Sequence, residues 1–431
     1  MDRKREQSAA WLARSERVIP GGAQTFSKSP RSFVQGVAPN FLARAQGAFV
    51  WDVDGYRYLD YIMGLGAVIL GHGDADVLEA ARTQMEAGIS FSLPHPVEVE
   101  VAERLVRLIP CAEMVRFAKN GSDVTTAAVR LARAFTRREK ILCCGYHGWH
   151  DWYIGTTDRN RGVPEAVRHL TFRFPYNDLD ALHRLFNEHR GEIAAVIMEP
   201  VTFDPPAPGY LEEVRALCHR HGALLIFDEV ITGFRFGLGG AQAYFGVVPD
   251  LACFGKAMAN GFPLAALVGR ADIMHLLSEP DVFFSTTHGG EAVSLAASRA
   301  TLEKLEREDG IASLWRLGAR LKEGINALLG EHRLADLIEC VGMPPFTALR
   351  FHVRDEEEQL ALRSLFQQEA LVRGILAFGY HMLSLAHSEA DIEWTLEQYA
   401  EIFAVIADAV RQGDVAARLK GPPIRPILRQ A

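Results

Sequence analysis

The sequence predicts an α/β protein whose larger part is a mostly parallel sheet covered by helices, followed by a smaller α+β region. Three observations lead there. Short apolar runs such as "IAAVIM" and "ALLIF" lack the alternation of a half-exposed strand and read as strands buried on both faces. Between residues 114 and 270 these runs alternate with helical patterns, as parallel strands joined by crossover helices require. The last hundred residues change character, with long helices and only a few strands.

Taken in order, Ser8 to Ile19 carries a short helical pattern that Pro20-Gly21-Gly22 stops. "GAFVWDVDGYRYLDYIMG" reads as two strands around an Asp54-Gly55 turn. "EVEVAERLVRLIP" is a helix ending at Pro110. "EMVRFAKNG" is a strand, and the helix after it sets Val124, Ala127, Ala128, Leu131 and Phe135 on one face. "KILCCG", "IAAVIMEP", "ALLIFDEV", "PDLACFGKA" and "FPLAALVGR" are further strands, and "LDALHRLFNEHRG" and "GYLEEVRALCHRHG" are helices between them. Ser388 opens the final helix with Asp391 three residues on, as a capping box. Ile392, Leu396, Tyr399, Phe403, Ile406 and Val410 form its apolar stripe, and Gly413 closes it. The proline-rich tail "KGPPIRPILRQA" is expected to run along the surface.

The chain has 431 residues, 48% apolar and 23% charged, enough for a substantial core and more than one domain. A formal net charge of -8 argues against nucleic acid or an anionic membrane as the main partner. The charged start "MDRKREQ" precedes no signal-peptide core, and no stretch approaches the roughly 20 apolar residues of a membrane span. The six cysteines lack zinc-type spacing and sit mostly in apolar surroundings, as buried free thiols of a reducing cytoplasm would.

In an open α/β sheet, ligands bind at the carboxyl ends of the strands. Those ends carry Asn120-Gly121-Ser122, Tyr146-His147-Gly148, Glu199-Pro200, Asp228-Glu229 and Lys256. Gly121 and Ser122 stand where a strand turns into a helix, which suits an anion such as phosphate; Ser122 as a plain helix cap is the commoner case. Asp228 ends a buried strand and needs a positive partner, either Arg235 or a protonated heterocycle. Lys256 follows an apolar strand, where desolvation would lower its pKa and suit it to Schiff-base chemistry; a snorkelling surface lysine is the alternative. His147, His150 and Asp151 could be read as a metal site, but they lack the helical spacing of zinc motifs, and no metal is expected.

"FDEVITGFR" followed by "FGKAMANGFP" resembles the class III aminotransferases, fold-type I pyridoxal-phosphate enzymes. "VIPGGAQ", "VWDVDGYRYLDYIMGLG", "ILGH", "GYHGWHD", "MEPV", "GAQAYFGVVPDL" and "LSLAHSEADIEWTL" extend the resemblance over nearly the whole chain, nearest to the glutamate-1-semialdehyde 2,1-aminomutase branch. The resemblance implies a large cofactor domain, residues 51–305, with a seven-stranded sheet between helices. It implies a small domain from both chain ends, residues 1–50 and 306–431. It implies pyridoxal 5'-phosphate as cofactor and catalytic roles for Lys256, bound to it as an imine and later moving a proton, and for Asp228 on the pyridinium nitrogen. Val230 and Tyr146 would flank the ring, Gly121 and Ser122 would hold the phosphate, and His147, Glu199 and Asp204 would complete the cofactor shell. Thr287 would reach the phosphate from a second subunit, which makes a homodimer with shared sites. Glu229 is expected to be structural.

The substrate shell departs from the mutase. Its substrate arginine falls on Lys28, its tryptophan before Gly66 is Leu65, its active-site glutamate falls near Gly379, and an asparagine after Glu-Pro-Val falls on Asp204. The segment between Tyr146 and Pro164 looks shorter than the mutase's gating loop. The expected activity is therefore transfer of an amino group between an amino donor and an aldehyde or ketone, with Lys28, Tyr380 and His381 as acceptor-pocket residues. The alternative is the intramolecular aminomutase itself.

Overall fold

The computed structural model describes residues 4–425, which divide into two compact units; the last six residues of the proline-rich tail lie outside the described residues. One unit comprises residues up to 65, 69–74 and 312 onward; the other comprises 66–68 and 75–311. The first break therefore falls at Leu65 and not near residue 50, and the last falls at Ala312 and not at 305/306. The reason is strand pairing. β1 (Leu42–Gln46), β2 (Phe49–Asp52) and β3 (Arg57–Asp60) form an antiparallel run, and β3 then pairs in parallel with a strand from the far end of the chain.

The larger unit holds the seven-stranded sheet. Its strands are β4 (Met114–Ala118), β5 (Lys140–Cys144), β6 (Thr171–Arg173), β7 (Ile193–Met198), β8 (Leu224–Asp228), β9 (Leu251–Phe254) and β10 (Ala265–Gly269). The order across the sheet is β4-β10-β9-β8-β7-β5-β6. Only β10 runs against the rest, being antiparallel to both β4 and β9. The short strand β6 was not anticipated from the sequence; three residues give too little pattern. β7 and β8 are buried at every position, as their unalternating apolar runs require. The helix Gly121–Thr136 covers one face, burying Val124, Ala127, Ala128 and Leu131. Phe135, expected on that face, lies in the last turn and stays 38% exposed, with the Arg270 guanidinium 5.9 Å from its ring.

The smaller unit adds β11 (Ile338–Met343), β12 (Phe346–Phe351), β13 (Ile375–Leu376) and β14 (Tyr380–Met382); β13 extends the β1-β2-β3 run, and the other three form their own antiparallel sheet. The helix Glu6–Val18 is anchored at its start by Asp54, which accepts from the amides of Gln7 and Ser8. The final helix, Glu389–Gln412, opens on the Ser388–Asp391 capping box and ends on Gly413 at φ 68°. Its stripe is buried except Val410, which sits in the last turn beyond the core. The tail is not wholly superficial: Ile424 is buried beside Val34 and Val37, and its amide donates to Ser364. All six cysteines are buried and unpaired.

This unit has a polar core. His381 is 1% exposed, with Nδ1 3.0 Å from the Thr347 hydroxyl and Nε2 2.8 Å from the Tyr399 hydroxyl. His387 stacks on Tyr61 and accepts from the Ser384 amide at Nδ1, a bond that only the unprotonated nitrogen can make. Burial pushes the pKa of His381 down to about 3 and that of His387 down to about 4. Both therefore fold neutral, and the unfolded chain binds their protons more readily. Their contribution is complete above an unfolded pKa of about 6.5 and falls as pH drops toward the folded values, by roughly 3 kcal/mol each near pH 4. Hydrogen exchange across Glu389–Gln412 should accelerate steeply between pH 6 and pH 4, after correction for intrinsic rates. A variant with both histidines replaced by Gln should lose most of that pH slope; an unchanged slope would refute the assignment.

Candidate active site

Because β10 alone is reversed, the carboxyl ends of β4, β5, β7, β8 and β9 lie along one edge of the sheet. Asp228 is the last residue of β8 and is only 5% exposed. Its Oδ2 lies 2.8 Å from His147 Nδ1, and its Oδ1 accepts from the Val230 amide at 3.1 Å. The other ring nitrogen of His147 faces the Cys144 carbonyl at 3.0 Å. A carbonyl can only accept, so Nε2 carries a hydrogen and donates. The intrachain partner of Asp228 is thus His147. Arg235, the cation offered by the local sequence, is fully buried and donates elsewhere, to the Gly66 carbonyl at 3.0 Å.

Lys256 follows β9 directly. Its backbone is left-handed at φ 43°, a strained setting for a residue with a side chain and one that recurs at active sites. The side chain is half-buried, and its amine makes no hydrogen bond among the described residues. Desolvation lowers its pKa, the nearby Arg235 charge adds to that, and Asp228 and Glu199 oppose it. Glu199, past the end of β7, accepts from the Tyr146 amide at 3.1 Å; burial, and then the charge of Asp228, raise its pKa. These groups form one electrostatic set in which burial works against the ammonium while the carboxylates favour it.

The helix Gly121–Thr136 begins at the end of β4, capped by Asn120 and Asp123. Gly121 and Ser122 place their amides in the first turn, where no intrahelical acceptor exists, and neither amide is bonded among the described residues. The Ser122 hydroxyl accepts from the Trp149 amide at 3.4 Å, and Thr125 donates to the His147 carbonyl at 2.9 Å. Gly148 makes this approach possible: at φ 101°, a Cβ there would fall 2.2 Å from Ser122 Oγ. A Cβ on Gly121 would meet Val230 at 3.1 Å, so the first helical turn and Val230 abut. One neighbourhood therefore gathers Gly121, Ser122, Tyr146, His147, Glu199, Asp228, Val230 and Lys256. The clearances at Gly148 and Gly145 were missed in the sequence, although the spacing of glycines around Tyr146-His147 was a visible signal.

Of the remaining candidates, Asp204 and Thr287 belong to the larger unit. Asp204 is exposed on the loop after β7, where its amide donates to Thr202. Thr287 is exposed, and its side chain makes no hydrogen bond among the described residues. Lys28, Tyr380 and His381 belong to the smaller unit. Lys28 is exposed, and Tyr380 is half-buried against Phe346 and Phe378. His381 has both ring nitrogens bonded inside the core, so no nitrogen is left for a ligand, and it is corrected to a core residue. In the loop after β5, both nitrogens of His147 are engaged, and His150 Nδ1 bonds Thr126 at 2.7 Å. Among the described residues no group of three His, Cys, Asp or Glu side chains is placed to hold a metal.

Glu229 is part of the scaffold. Fully buried, it accepts from the amides of Ala241 and Gln242 and from the Thr232 hydroxyl, closing the loop that follows β8.

A family model described as "Aminotransferase class-III" matches residues 33–403. A glutamate-1-semialdehyde 2,1-aminomutase of Roseiflexus castenholzii is 37% identical over 95% of this chain and 100% of that protein. A 3-aminobutyryl-CoA aminotransferase of Cloacimonas acidaminovorans is 33% identical over 94% of this chain and 98% of its own. The solved structure of the FumI protein of Sphingopyxis sp. MTA144, in its PLP internal aldimine form, superposes with a TM-score of 0.87 at 30% identity, covering 97% of this chain and 98% of that one.

The Glu229→Ala variant would strand two buried amides and a hydroxyl, at a cost of about 3–5 kcal/mol. Thermal unfolding of the variant should show a drop of several degrees. An unchanged midpoint would overturn the structural role.

Proposed function

The chain belongs to the class III aminotransferases, pyridoxal-phosphate enzymes, and from that premise we propose that it moves an amino group between separate donor and acceptor molecules by a ping-pong course. The cluster fits the cofactor. Two unbonded amides and a serine hydroxyl at a helix N-terminus suit a phosphate, and a half-buried amine with a lowered pKa suits a carbonyl. When bound, the cofactor supplies a protonated heterocycle that accepts the electron pair left at the reacting carbon.

The chain's own groups do the rest. Asp228 would favour the protonated ring nitrogen, and its bonds to His147 and the Val230 amide hold the carboxylate in one orientation. Val230 and Tyr146 would flank the ring. Glu199 would complete the polar wall. Lys256 would hold the cofactor through Nζ, and the same nitrogen would take a proton from the donor's amino-bearing carbon. The observation that carries this reading is the unbonded amine of Lys256 in left-handed backbone.

Three features support the intermolecular reaction. Lys28 replaces a bidentate arginine, and Leu65 replaces a tryptophan. The segment from Tyr146 to Pro164 is tied down: Tyr153 donates to the Gly145 carbonyl at 2.8 Å, and Trp152 donates to Thr126 at 2.9 Å. A gate that must retain an intermediate needs a freer segment. Lys28 and Tyr380 remain the acceptor-pocket candidates, for a hydroxylated carbonyl compound. The aminomutase is the second reading, favoured by the 37% identity to the Roseiflexus protein.

The exposed Thr287 and the exposed apolar side chains of Ile89, Phe91, Leu93 and Phe283 support a homodimer. Six unpaired thiols support a reducing, cytoplasmic setting. No helix among the described residues is long and apolar enough to cross a membrane.

An amino donor alone should bleach the visible band of the yellow enzyme, and a carbonyl acceptor should then restore it. If no donor bleaches the band while an amino-aldehyde isomerises unaided, the aminomutase is the activity. Lys256→Ala should lower turnover by at least about 10³-fold while the phosphate-anchored cofactor is still retained; undiminished turnover would refute the role of Lys256.

A further inference from the structure

The segment from Phe283 to Glu291 leaves the large sheet's core as an arch and returns to it. Its first foot is pinned: Val282 and Phe284 pack against the core, Arg130 donates to the Phe283 carbonyl at 2.6 Å, and Arg116 donates to that of Phe284 at 3.1 Å. Its second foot is fitted closely. A Cβ on Gly289 would lie 2.9 Å from the Phe117 carbonyl oxygen, and one on Gly290 would lie 2.6 Å from the Glu98 carboxylate. Between the feet, residues 285–288 are exposed.

The second foot ends on Glu291, which caps the helix Ala292–Arg307 through the amides of Val293 and Ser294. Its Oε2 also meets Lys119 Nζ at 2.9 Å, and each side chain is only 14% exposed. Lys119 directly precedes the Asn120–Asp123 capping box of the proposed phosphate helix. An ion pair so shielded is screened little by salt and holds its geometry better than a surface pair.

We propose that the Lys119–Glu291 pair is a latch that fixes the arch so that Thr287 is presented, already in place, to the cofactor phosphate of a partner subunit. The proposal rests on the reading of Thr287 given above. Lys119 and Glu291 act as positioning residues: neither needs to touch the phosphate, and both act through the threonine. A hydroxyl held ready loses less entropy on forming its bond to a phosphate oxygen than one on a free loop.

A double-mutant cycle on the full-length holoenzyme tests this. The readout is the rate of cofactor loss on dilution, followed by the visible band. Thr287→Ala should speed loss about tenfold, the worth of a hydrogen bond to a charged group. Lys119→Met should have a similar effect, and Glu291→Gln should reproduce it from the other side. Lys119→Arg should restore retention. The double variant Lys119→Met/Thr287→Ala should be no worse than the poorer single one, because both remove the same contact. Multiplying effects, near a hundredfold, would mean that Lys119 acts on its own and would overturn the latch. An impaired Thr287→Ala beside a normal Lys119→Met would overturn the latch while sparing the role of Thr287. A silent Thr287→Ala would bring down that role and the latch together.

Discussion

A carboxylate taken out of water at the end of a buried strand is the constraint from which the site follows. Asp228 is only 5% exposed, and an ionised oxygen there is costly unless hydrogen-bond donors reach it. The fold supplies two, the Val230 amide from the next turn and a ring nitrogen of His147 from the end of β5. The second of these fixes the loop. His147 must present Nδ1 to Asp228 and Nε2 to the Cys144 carbonyl at once, so the ring has one orientation and its turn one path.

That path brings the turn onto the helix Gly121–Thr136. The approach depends on what is missing from glycine. Gly148 lets the chain pass Ser122, and Gly145 leaves room for the Glu199 carboxylate, which a Cβ would approach to 2.4 Å. Each supporting contact is a protein group answering another protein group. Among the described residues, the amides of Gly121 and Ser122 and the amine of Lys256 are donors in this neighbourhood left without such an answer. Placed within one neighbourhood, they match a phosphate and a carbonyl on the same small molecule.

The smaller unit solves a different problem with similar means. His381, Tyr399, Thr347, Tyr61 and Thr395 satisfy one another inside a core of helices and a short sheet. The sequence suggested His381 for the acceptor pocket because it follows Gly379, near which the mutase's active-site glutamate falls. Alternation across the strand turns it into the core, where its two partners lie on β12 and on the final helix. Phe135 and Val410 fail for the opposite reason. Helical periodicity extends a stripe to the last turn, but the neighbouring layer stops before it.

The order of strands and helices, the parallel character of the sheet, and the likeness that pointed to Lys256, Asp228, Gly121 and Ser122 were all readable along the chain. These properties depend on residues near one another in sequence, or on a motif whose chemistry travels with it. The partner of Asp228 was not readable. Arg235, seven positions away, was the one partner offered by the local sequence, yet the protein nitrogen that arrives belongs to a residue 81 positions upstream. The ion pair of Lys119 with Glu291 spans 172 positions and has no local signature at either end. Such pairings depend on which strand ends become neighbours when the sheet closes its order. A one-dimensional pattern records burial and periodicity, but only the folded chain brings distant charges within a few ångströms.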